Sequence, residues 1–127
     1  MIEPLNFNIG QGETFKLENQ TLFENQKSLN YPVSASLPLD ITNIEFVGQV
    51  KENYTTDEVS ATFTIEKETP FESGSISIYL YPAETAALTL RTYVYDIIMI
   101  NNNESPAEIT RILEGSIIVR PSVTMNT

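Results

Sequence analysis

Ser75-Ile76-Ser77-Ile78-Tyr79-Leu80, then Pro82-Ala83-Glu84-Thr85-Ala86-Ala87-Leu88, then Thr92-Tyr93-Val94-Tyr95: these runs, within residues 75–95, decide the fold. The first alternates with period two, the period of a strand with one buried face. It predicts Ile76, Ile78 and Leu80 inward, and Ser75, Ser77, Tyr79 and then Tyr81 outward. The second predicts a single helical turn. Pro82 suits a first helical position, where its missing N–H costs nothing. Glu84 meets the partial positive charge of a helix start. The third predicts a strand opened by Tyr93. Strand, helical turn and tyrosine-led strand together resemble the tyrosine corner of Greek-key sandwiches, with Tyr93 as the structural corner residue. Tyr95 then stands where antibody domains carry their second cysteine. The alternative is that both tyrosines are ordinary strand residues.

Period two continues outward from this stretch. Leu5, Phe7 and Ile9 alternate with Asn6 and Asn8, predicting a first strand, and Gly10-Gln11-Gly12 breaks it. Phe15 and Leu17 predict a second. Residues 19–28 are polar and read as a loop or weak edge strand. Residues 31–39 hold Pro32 and Pro38, which suits an edge strand or extended coil. Ile44, Phe46 and Val50 predict a strand, with a bulge at Gly48. Residues 53–58 read as a polar turn. Ala61, Phe63 and Ile65 predict one further strand. Residues 92–100 are apolar on both faces, which predicts a central strand. Residues 109–119 answer as its hairpin partner, with a bulge at Gly115. Pro121 ends the pattern. The expectation is all-β: an antiparallel, immunoglobulin-like Greek-key sandwich of seven or eight strands with one short helical turn. It fills residues 1–127 as a single domain.

Composition bounds the chemistry. The chain has 127 residues, 41% of them hydrophobic, enough for one domain with a real core. It has no cysteine and no histidine, so disulfides, thiolate nucleophiles and the commonest general base and metal ligand are missing. No metal, no cofactor and no catalytic residue is expected. Asp57 with Glu58, and Glu66, Glu68 and Glu72, read as solvated surface acids. Lys16, Lys27, Lys51 and Lys67 have polar neighbours and no sign of activation. Gly10-Gln11-Gly12 lacks the remainder of a phosphate loop.

Seventeen acids against seven bases give a net charge of −10. Nucleic acid and anionic membranes would repel most of such a surface, so neither is an expected partner. The charge serves solubility or a partner with a basic patch. Met1-Ile2-Glu3-Pro4 starts no secretory signal, and no apolar run is long enough to span a bilayer. Asn19-Gln20-Thr21, Asn53-Tyr54-Thr55 and Asn103-Glu104-Ser105 match the glycosylation sequon by chance. Candidate interface residues are Tyr79 and Tyr81, whose rings offer rigid area with a polar tip, and Arg111 and Arg120, whose guanidinium forks suit carboxylates. Partial burial of the tyrosines and simple solvation of the arginines are the competing readings.

An ordered set of segments resembles a known family. The segments are Gly10-Gln11-Gly12-Glu13-Thr14-Phe15, Pro38-Leu39-Asp40-Ile41-Thr42 leading into a strand from Ile44 to Val50, Gly74-Ser75-Ile76-Ser77-Ile78 and Glu84-Thr85-Ala86-Ala87-Leu88. Tyr93-Val94-Tyr95-Asp96-Ile97, Arg111-Ile112-Leu113-Glu114-Gly115-Ser116-Ile117 and Pro121-Ser122-Val123-Thr124 complete it. Together they resemble short virion-associated immunoglobulin-like proteins of tailed bacteriophages and are similar to the N-terminal domain of phage baseplate upper proteins. The resemblance is densest after Gly74. Leu90-Arg91-Thr92 departs from the glycine often found before the tyrosine strand, and residues 53–71 lack a matching pattern. The resemblance implies a structural virion protein made in the host cytoplasm. It would bind other virion proteins, in multiple symmetric copies, on the capsid, neck, tail or baseplate. The alternative is a receptor- or carbohydrate-binding module using exposed tyrosines, which the absence of tryptophan weakens.

Overall fold

The computed structural model of the protein describes residues 4–24 and 37–121. Of the described residues 53% are strand and 8% helix, so all-β is the class. The strands, in chain order, are β1 (Phe7–Gly10), β2 (Phe15–Thr21), β3 (Ile44–Lys51), β4 (Ala61–Thr62), β5 (Thr64–Lys67), β6 (Ser75–Leu80), β7 (Thr92–Asn101) and β8 (Glu108–Arg120). A 3₁₀ turn (Phe71–Ser73) precedes β6, and helix α1 (Pro82–Ala87) follows it. They form a five-stranded sheet, β1-β8-β7-β3-β4, and a three-stranded sheet, β2-β6-β5.

The two sheets share one core. Ile76, Ile78 and Leu80 of β6 are each 0% exposed, as period two requires. Opposite them lie the inner faces of β7 (Tyr93, Tyr95, Ile97) and β8 (Leu113, Ile117, Val119), all buried. Each such aliphatic chain contributes roughly 1.5–3 kcal/mol by leaving water. Aromatic rings join the layers. Phe7 meets Phe15 edge-on at 4.8 Å, and Phe63 lies 6.2 Å from Phe15 and 5.7 Å from Tyr95.

Four expectations need correction. The five-stranded sheet is mixed, because β1 runs parallel to β8, with Phe7 opposite Ile117 and Ile9 opposite Val119. No short turn joins these strands, so nothing local forces them antiparallel. Burying Phe7 and Ile9 fixes their register. Second, the strand expected around Phe63 is two. Ala61 and Thr62 pair with β3, while Thr64 to Lys67 pair with β6. At the crossing, the Phe63 N–H donates to the Gly48 carbonyl at 2.9 Å.

Third, Gly48 is no bulge; it pairs in register with Ile97. A Cβ there would lie 2.9 Å from both Ile97 Cγ1 and Phe63 Cδ2, so the glycine makes room for Phe63. Fourth, Gly115 is no bulge either and pairs with Tyr95. The bulge falls at Ile112, skipped between the Ile97–Leu113 and Ile98–Arg111 pairs, which lets Ile112 and Leu113 both face inward. Gly115 instead admits Leu5, whose carbonyl oxygen a Cβ would overlap. Leu5 is held there by its N–H to Glu114 O (2.8 Å) and by the Tyr95 hydroxyl, which donates to Leu5 O (2.5 Å).

β2 runs further than expected, to Thr21, with its register shifted between Leu17 and Gln20 and Asn19 at φ 57°. Of the segment expected over residues 31–39, Pro38 bridges Phe23. Residues 25–36, with Lys27 and Pro32, lie outside the described residues. So do Met1 to Glu3 and the residues from Ser122 onward.

The stretch after β6 is tied down at several points. Thr85, 0% exposed, donates its hydroxyl to Glu13 O at 2.7 Å. Gln11 Nε2 donates to Leu88 O at 2.8 Å. Tyr93 is 2% exposed, and its hydroxyl accepts the Thr89 N–H at 2.9 Å and lies 2.9 Å from Thr89 Oγ1.

Two substitutions test this framework in urea titrations. Tyr93→Phe should lower stability by about 0.5–1.5 kcal/mol, and an unchanged midpoint would deny the hydroxyl a net role. Gly115→Ala should cost about 1–3 kcal/mol through overpacking against Leu5.

Candidate functional site

Alternation leaves each sheet one outer face, and the two faces lie on opposite sides of the molecule. On the five-stranded sheet, β3 and β7 place Val47 beside Ile98, and Ile98 neighbours Arg111 of β8. Ile100 stands between Glu45 and Ile109. Ile109 is 64% exposed and Val47 36%, while Ile98 and Ile100 are half-buried. A strand apolar on both faces normally has a layer over each. Among the described residues β7 has such a layer on one face only. Beside the stripe is a groove of about 270 Å³, lined in part by Lys51, Tyr54, Val94, Asp96 and Ile98. Its rim is shaped by Asn53, whose side-chain oxygen accepts the N–H groups of Thr55 (3.0 Å) and Thr56 (2.9 Å). Tyr54 projects from that turn, 71% exposed.

Arg111 also lines the groove, paired with Asp96 at 3.3 Å and Glu114 at 3.8 Å. These contacts are half in solvent and worth little to stability. Arg120 donates Nε to Asn8 at 3.1 Å. Nine residues separate the arginines along one strand, roughly 30 Å, so they do not form one cluster.

The three-stranded sheet presents the tyrosines. Tyr79 and Tyr81 stack, with centroids 5.6 Å apart and planes 8° from parallel. Tyr81 is 40% exposed and Tyr79 half-buried. Side chains at i and i+2 share a strand face, which brings the rings together. Lys16 and Thr64 flank Tyr79 in register. Glu84 accepts the Tyr81 N–H at 3.1 Å. Partial burial of the phenol, then the Glu66 carboxylate, Tyr79 and the Glu84 carboxylate, hold the Tyr81 pKa above its usual value. Ser77, expected on this wet face, is buried instead. Its hydroxyl donates to Glu68 at 2.7 Å and accepts the Asn19 N–H at 3.1 Å, so the β2 irregularity and Glu68 cover it.

Among the described residues no group of three or more acids could hold a metal, and no buried side-chain polar atom lacks a partner. No helix there is long and apolar enough to cross a membrane. Lys67 is less solvated than its polar neighbours suggested. Its ammonium donates to Ile41 O (3.0 Å), Thr42 O (3.2 Å) and Ile44 O (3.0 Å), and lies 4.8 Å from the Phe71 ring centre. It closes the turn before β3.

No protein-family model matches this chain, and neither does any curated protein.

Tyr95 gives a solution test of the inner layer. Burial first, then the Glu114 carboxylate and the Tyr54 phenol, push its pKa far above the ordinary tyrosine value. The native state thus keeps a proton that the unfolded chain releases near pH ~10. Its stabilisation is complete below that pH and is lost as pH rises toward the folded pKa. Tyr95→Phe should flatten the fall of the urea midpoint above pH ~10 relative to wild type. Equal alkaline slopes would contradict this.

Proposed function

We propose that the protein is a structural component of a tailed-bacteriophage virion, docking on other virion proteins through the outer face of its five-stranded sheet. The apolar stripe of Val47, Ile98, Ile100 and Ile109 carries this reading. Exposed branched aliphatics in adjoining positions cost solubility unless a partner covers them. Arg111, Asp96 and Glu45 on the same face offer polar groups for registering a partner, as at interface rims. Multiple symmetric copies follow from the resemblance set out above, as does the choice among capsid, neck, tail and baseplate. The reading assigns no catalytic role.

The finer fold belongs to the same proposal: an immunoglobulin-like Greek-key sandwich. Strand order supports it. β2, β6 and β5 stand as strands B, E and D, and β4, β3, β7 and β8 as C′, C, F and G, with β1 transferred to the last strand's side. The Tyr93 hydroxyl bond to Thr89, at the corner between E and F, supports it too. The absence of tryptophan counts against the second reading, a carbohydrate-binding module using the exposed tyrosines.

Mass spectrometry of purified particles of the encoding phage should find the chain in stoichiometric amounts; near-absence would overturn the reading. Ile109→Glu should cut its incorporation several-fold while moving stability by less than about 0.5 kcal/mol, the usual range for exposed positions.

A further inference from the structure

We propose that the Tyr79–Tyr81 stack, with Glu66 and Glu84 beside it, is a binding site for a guanidinium group: an arginine on a basic segment of a partner protein. The site lies on the sheet face opposite the apolar stripe. The inference goes beyond the virion reading and stands or falls without it.

Shape is the first ground. Two parallel stacked rings, centroids 5.6 Å apart, make an aromatic slab open to solvent at Tyr81. A ring's π-face is electronegative and attracts a cation laid against it. A planar guanidinium fits such a slab better than the compact, strongly hydrated ammonium of lysine.

Charge is the second ground. Among the described residues the face carries Glu18, Glu66, Glu68 and Glu84 against Lys16 alone. Lys16 is already paired with Glu18 at 3.6 Å, and Glu68 is held by the Ser77 hydroxyl at 2.7 Å. Lys67, next along β5, turns to the other side and spends its ammonium on the carbonyls of Ile41, Thr42 and Ile44. Glu66 has no ion pair among the described residues, and Glu84 keeps an oxygen beyond the one that accepts from Tyr81. A guanidinium stacked on the rings can direct its N–H fork at these carboxylates, the geometry in which arginine surpasses lysine. The overall charge of −10 draws in basic partners and repels acidic ones. The chain's own arginines are poor candidates. Arg111 is engaged by Asp96 and Glu114, Arg91 by Glu52, and Arg120 by Asn8. The occupant is therefore a different protein.

The test uses the full chain and fluorescein-labelled peptides of alternating glycine with arginine, lysine or citrulline, read by anisotropy at low ionic strength. Amide chemical shifts locate the contact. The arginine peptide should bind at least about fivefold more tightly than the lysine peptide, and citrulline should not bind. Shifts should centre on Tyr79, Tyr81 and Glu66. Tyr81→Ala and, separately, Glu66→Gln should each weaken binding about fivefold. Glu104→Gln, the same charge change on a distant turn, should leave it unchanged. Equal binding of arginine and lysine peptides, or loss with Glu104→Gln as large as with Glu66→Gln, would reduce the effect to net charge and overturn the proposal. Unchanged affinity in both site variants would overturn it too. Light scattering settles the occupant: self-association that Tyr81→Ala abolishes would make it a second copy and overturn the assignment to a different protein.

Discussion

Phe63 must leave one sheet and enter the other while its ring stays between them, and much of the molecule is arranged around that requirement. Its N–H is satisfied by Gly48, whose missing side chain also provides the space for the ring. Phe15 and Tyr95 enclose it, and Phe7 extends the cluster toward the first strand. One continuous stretch thereby supplies an edge to both layers, β4 to one and β5 to the other. The sheets curl toward each other along that side because the chain between them is a single residue long. A phenylalanine so placed typically contributes several kcal/mol.

The opposite side is closed from the two ends of the described chain. Leu5 crosses β8 at Gly115 and is fixed by Glu114 and Tyr95, while Asn6 accepts the Ser116 N–H at 2.9 Å. These contacts join residues about as far apart in sequence as this chain permits. Such pairings close long loops, at a cost in chain entropy that grows only slowly with loop length. Tyr95 therefore serves both closures, its ring against Phe63 and its hydroxyl on Leu5.

What the sequence disclosed follows from what is local. Residues 75–80 could be read as a strand, with the correct face inward, because alternation is a property of neighbours. Helix α1 was legible from Pro82 and Glu84 for the same reason. The roles of Gly48 and Gly115 carry no sign in the sequence, because a glycine that admits a distant residue looks the same as one that bends a strand. The true bulge had its sign in two consecutive apolar residues, Ile112 and Leu113. The direction of β1 had no sign, since its partner lies at the far end of the chain. The surfaces divide likewise. Tyr79 and Tyr81 were legible as outward-facing partners by their spacing. Glu66 and Glu84 join them from β5 and α1, which only the fold brings near. The apolar run of β7 revealed the strand's central place but not that one of its faces lacks a cover among the described residues.

The edge strands have a consequence of another kind. β4 has two residues, β1 and β5 four each, and β2 is interrupted where Asn19 turns to a positive φ. These edge strands are short or irregular, so they themselves give a neighbouring chain little to zip onto. Contact with other molecules is left to the faces, through side chains. Units that met in this way would keep their backbones separate, which disfavours ladder-to-ladder fusion at high local concentration.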